Sequence, residues 1–151
     1  MKPFWLGAAL TVAVAFSASS AFAHDDAYLD TQKAPNGGQL RMAGPLHYEL
    51  VTQKNAAASV DSPVVVYVTD HAGTPVSTKG ATGTATILAG KTRSTASLAP
   101  DGDNRMKGLA RYVHAPGMKV VVSITLPDAA PEQARFTPGL VAQDGHMDGA
   151  H

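Results

Sequence analysis

The residues with the greatest chemical capacity in this chain are its histidines and methionines. Six histidines (His24, His47, His71, His114, His146 and His151) accompany five methionines, and cysteine is absent. Imidazole nitrogen suits copper, nickel and zinc, and thioether sulfur suits Cu(I). Without thiolates, these side chains are the chain's only soft or borderline ligands. Some of them pair up along the sequence. Met42 and His47 lie on either side of Gly44-Pro45, His114 and Met118 flank Ala115-Pro116-Gly117, and His146 adjoins Met147. Met42, Met106 and Met118 are more often core fillers than ligands, although Met42 also stands among the candidate ligands. His71 falls in the turn "DHAGTPV", where exposure to solvent is the expectation.

His24 is the sharpest of these residues because of what precedes it. Residues 1–23 have the layout of a secretory signal: Lys2, an uncharged apolar run from Phe4 to Phe16, then "SASSAFA" with its small-x-small end. The run has 13 residues, whereas a membrane-spanning helix needs about 20. No cysteine follows it to carry a lipid. Cleavage after Ala23 makes His24 the first residue of the working protein. A terminal histidine offers one metal both its α-amine and its ring Nδ1. The α-amine, with a reference pKa of about 7.7–8.0, yields its proton to a metal near neutral pH. One more imidazole, from His47 or His114, completes a T-shaped set of three nitrogens, a geometry suited to tetragonal Cu(II). Asp25 or Asp26 is placed to add a weak oxygen ligand. Glu49 shares a strand face with His47 and either orients its imidazole or forms a surface ion pair worth little. The end of the chain, with His146, Met147 and His151, has the composition of a loose metal-capturing tail.

These side chains need a scaffold, and the rest of the chain reads as strands and turns. Removal of 23 of 151 residues leaves 128, one domain by size. It also removes Lys2, so the charge becomes 11 − 12 = −1, with no basic field for nucleic acid. "GQLRMAG" and "LHYELVTQ" are candidate strands parted by Gly44-Pro45, with Leu46, Tyr48 and Leu50 on one face and His47, Glu49 and Val51 on the other. "PVVVYVTD" and "MKVVVSITLP" read as central strands. "ATGTATILAG", "STASLAP" and "RMKGLARYVH" read as further strands, and "EQARFTP" as a closing edge. No window beyond the signal has a helical period. Short strands separated by Gly/Pro turns predict an all-β, immunoglobulin-like sandwich of about seven strands. The expected layout is an N-terminal segment over 24–36, the sandwich over 37–138 and a flexible tail over 139–151. Motifs of hydrolases, phosphate-binding loops and zinc proteases are missing, and no enzymatic activity is expected.

"APNGGQLRMAGPLHYELV" followed by "VVVYVTDHAGTPV" resembles small periplasmic proteins, and periplasmic modules of heavy-metal efflux adaptors, that share a GG-x5-G-x2-H-x-E-L-V pattern and a following hairpin. The matching residues are Gly37, Gly38, Gly44, His47, Glu49, Leu50 and Val51, then Tyr67, Asp70, Gly73 and Pro75. In related sequences a histidine often precedes the paired glycines; here it is Asn36. The resemblance implies an immunoglobulin-like sandwich linked with metal resistance. A second resemblance, carried by His24 alone, is to copper-carrying periplasmic proteins that begin with histidine.

The leading expectation is therefore a periplasmic protein that binds a transition metal ion, copper before other divalent metals, for sequestration or delivery. Its expected ligands are His24 and His47, then His114 and Met42. Asp25, Glu49, His146, Met147 and His151 are accessory. A metal-efflux or envelope protein is the expected partner, with no nucleic acid and no membrane attachment once the signal is gone. The alternatives are an adaptor that pairs through an exposed sandwich edge and an oxidative copper enzyme built on the terminal histidine.

Overall fold

A computed structural model describes residues 26–140. The expected signal, His24, Asp25, His146, Met147 and His151 lie outside the described residues. Eight strands follow one short helix. The helix is α1 (Asp26–Asp30), and the strands are β1 (Gln39–Ala43), β2 (Leu46–Thr52), β3 (Ser62–Asp70), β4 (Thr82–Ala89), β5 (Thr92–Pro100), β6 (Arg105–Ala110), β7 (Lys119–Thr125) and β8 (Glu132–Phe136). All neighbouring strands are antiparallel, in the order β1-β2-β3-β6-β5-β4-β7-β8. From β2 to β8 this is the ABED-CFG order of an immunoglobulin sandwich, and β1 is an added outer strand. The expectation of about seven strands holds for that framework, with β1 making eight. β5 joins the two sheets. It runs beside β4 from Thr92 to Leu98 and reaches β6 through Ala99 and Pro100.

Alternation along each strand sends one set of side chains inward. Tyr48, Leu50, Val64, Val66, Val68 and Met106 from one sheet meet Ala85, Ile87, Val120, Val122, Ile124 and Phe136 from the other. Each fully buried aliphatic side chain stabilises the fold by about 1.5–3 kcal/mol. Met106 and Met118 are wholly buried, as their reading as core fillers requires. Tyr112, in the segment between β6 and β7, ties the far end of the sandwich. Its hydroxyl donates to the Pro63 carbonyl at 2.6 Å and accepts from the Gln53 amide at 2.9 Å.

The two outer strands, β1 and β8, approach each other without a ladder between them. Gln39 spans the seam, accepting from the Thr137 amide at 2.8 Å, and the Tyr48 hydroxyl donates to the Glu132 carbonyl at 3.3 Å.

Candidate functional site

The outer face of β1, β2 and β3 forms the floor of a groove of about 540 Å³. Cross-strand partners share a face, so the register sets the floor in two rows. Leu40, Glu49 and Tyr67 form one, and Met42, His47 and Thr69 the other. Leu40, His47, Glu49, Tyr67 and Thr69 line the groove, and Met42 sits beside His47 without lining it.

One wall is the N-terminal segment. Its helix α1 leaves no periodic trace in the sequence, because five residues are too few for a helical period to show. Its stability comes from what it touches. Leu29 is buried, and the nearly buried Arg41 guanidinium pairs with Asp30 at 2.7 Å and Asp26 at 3.6 Å, one helical turn apart. Asp26, expected as a metal-ligand oxygen, is thus engaged by Arg41. Tyr28, Leu29, Lys33 and Asn36 face the groove from this wall.

Glu49 fastens the wall to the floor. One carboxylate oxygen accepts from the amides of Asn36 and Gly38, both at 2.9 Å, and the other accepts from Asn36 Nδ2 at 3.0 Å. This corrects one expected role for Glu49. The carboxylate is buried and anchors the segment that covers it, so it is not a surface ion pair. The paired glycines serve the same junction for different reasons. Gly37 adopts φ +73°, the left-handed region that glycine tolerates. Gly38 has no such angle; a Cβ there would collide with the Leu50 carbonyl.

The opposite wall is the turn after β3. Asp70 Oδ1 accepts from the amides of Ala72 and Thr74, both at 2.9 Å, and the Asp70 amide donates back to the Thr74 carbonyl at 2.9 Å. Gly73 takes φ +81°, and Pro75 bridges to Thr69. The Asp side chain organises the backbone of the turn and holds His71 over the groove. The His71 ring stands 4.8 Å from that of His47, centroid to centroid, with the planes tilted by 48°. His71 is exposed, as expected of a turn residue, whereas His47 Nε2 is buried.

The structure thus pairs His47 with His71, a turn residue expected to face solvent and not to act as a ligand. The signal was present: residues 67, 69 and 71 point to one face if the β alternation continues past the strand end. What the sequence did not show is the β2–β3 register that sets Thr69 opposite His47. His114 is a correction in the other direction. It follows Ala110, the partner of Ser62, whereas His47 pairs with Thr69 at the other end of β3. The seven steps from Ser62 to Thr69 span roughly 23 Å, and His114 does not line the groove. Among the described residues, no three His, Cys, Asp or Glu side chains gather as a metal-binding group.

Comparison with known proteins adds little. No family model matches the chain, and no curated protein matches it. The structure of a DUF4426 family protein from Pseudomonas aeruginosa PAO1 is similar at a TM-score of 0.47 and 11% identity, covering 65% of this chain and 92% of that one. So remote a likeness carries no functional argument.

Proposed function

We propose that this is an exported transition-metal-binding protein, with copper the best match, whose ion sits between His47 and His71. The observation that carries the proposal is the spacing of the two rings. A metal–nitrogen bond of about 2.0 Å places an imidazole centre roughly 3.1 Å from the ion, so two rings sharing an ion at ~90–110° stand ~4.4–5.1 Å apart. The 4.8 Å separation falls within that interval. His24 supports the same site from the sequence side. It lies two residues before α1, whose Tyr28 and Leu29 wall this groove. After cleavage at Ala23, its amine and ring would offer two nitrogens, a donor type that favours Cu(II). Met42, cross-strand from His47 but outside the groove lining, would offer a thioether suited to Cu(I) only after its side chain turns inward. His47 and His71 would hold the ion, with the Asp70 turn fixing one imidazole and strand β2 the other. The protein would store or hand on the metal without turnover, in the periplasm, for a metal-efflux or envelope partner.

The test is a Cu(II) titration of the exported chain, after intact mass has fixed its first residue, with EPR at each addition. One-to-one binding is expected, weakened at least tenfold by His47→Ala and by His71→Ala and unchanged by His114→Ala. One extra residue ahead of His24 removes the terminal chelate and weakens binding in the same way if the amine is a ligand. Wild-type affinity in both the His47→Ala and His71→Ala proteins would refute the site.

A further inference from the structure

We propose that the same groove binds a small planar organic anion, an aromatic or heteroaromatic carboxylate, independently of any metal. A volume of about 540 Å³ is far more than an ion and its waters occupy, at about 30 Å³ per water, and falls in the ~300–1,000 Å³ range of small-molecule sites. Four aromatic rings contribute to its lining. Tyr28, Tyr67, His47 and His71 all line the groove, and Tyr28 remains 53% exposed at the rim. Flat π-faces at the rim and floor favour a flat ligand between them.

The charges select its sign. Lys33 and Glu49 are the lysine and the carboxylate that line the groove. Both oxygens of Glu49 accept from N–H groups of Asn36 and Gly38, whose dipoles offset part of its charge and turn its lone pairs away from an incoming ligand. Lys33 has no salt bridge among the described residues, so its ammonium is available. Tyr67, cross-strand from both Glu49 and Arg105, lines the groove, and a phenol hydroxyl can donate to a carboxylate. A carboxylate that meets Lys33 and Tyr67 while its ring lies against Tyr28 or His71 uses each of these features.

The experiment follows amide NMR shifts of the EDTA-treated full protein during titration with 2-naphthoate, and with 2-naphthalenemethanol as the neutral counterpart. Saturable shifts are expected at Tyr28, Lys33, Thr69, His71 and Gly73, with naphthoate half-saturating below about 1 mM. Lys33→Gln should weaken naphthoate about fivefold and leave the alcohol unaffected, whereas Tyr28→Ser should weaken both. Shifts centred elsewhere, no saturation by several millimolar, or equal naphthoate affinity in the Lys33→Gln and wild-type proteins would overturn the proposal. Because the protein is metal-free, these outcomes leave the copper titration untouched, and its failure would leave this site standing.

Discussion

Replacing Glu49 by alanine tests the physical link between fold and site. The side chain is buried on β2, and its carboxylate accepts from three donors: the amides of Asn36 and Gly38, both at 2.9 Å, and Asn36 Nδ2 at 3.0 Å. A hydrogen bond to a charged group contributes about 1.5–3 kcal/mol. Three at the low end give about 4.5 kcal/mol. Asn36 is exposed, so water replaces part of what it loses, and the net cost of Glu49→Ala is about 3 kcal/mol. For a domain of this size, at about 4 °C per kcal/mol, the melting temperature falls by about 12 °C. Glu49→Gln keeps one acceptor oxygen but turns an NH2 toward the other donors, so roughly half of that loss is expected. Urea unfolding followed by far-UV circular dichroism gives both numbers. A loss below about 1 kcal/mol for Glu49→Ala, or equal losses for the two variants, would refute the claim that this carboxylate holds the groove wall in place.

Two further predictions concern the core and the glycine junction. Burial pushes the ionisation of the Tyr48 phenol to higher pH, with the Glu132 charge adding to it, and burial likewise raises the pKa of Tyr112. The unfolded chain ionises near pH 10. Stability from the neutral phenols is therefore complete below pH 10 and is lost as the pH rises toward the folded-state values, at up to about 1.4 kcal/mol per pH unit for each tyrosine. Melting curves from pH 8 to 11.5 should stay level to about 10 and then fall, with a shallower fall in Tyr48→Phe; identical slopes would count against this. Gly38→Ala should cost about 1–3 kcal/mol, because its new methyl meets the Leu50 carbonyl, and a neutral result in thermal melts would show that the junction yields.

Most of the strands were legible because their signals are local. Alternation in "LHYELVT" placed Tyr48 and Leu50 in the core and His47 and Glu49 outside. The β-branched run of β3 marked a central strand, and Asp70 with Gly73 marked its turn. Long-range register left no such mark. Thr69 opposite His47 and Ser62 opposite Ala110 are set by how the sheet closes. They decide that His71 joins the site and that His114 stays away. Glu49 shows the same limit from another side. Its face was correct, but a polar outer-face residue becomes buried only when a separate segment lies across it, and five-residue α1 carries no periodic trace of doing so.

The turn that holds His71 is closed by its own residues. Asp70 receives the amides of Ala72 and Thr74, and Gly73 supplies the one backbone angle that a side chain would resist. Half of the imidazole pair is therefore specified by the six residues from Asp70 to Pro75, whereas the other half depends on the whole sheet. The turn is a transplantable part. Set at the end of a β3-like strand in another sandwich, it would deliver a histidine over the neighbouring strand, and a single histidine substituted opposite the last outward residue would complete the pair.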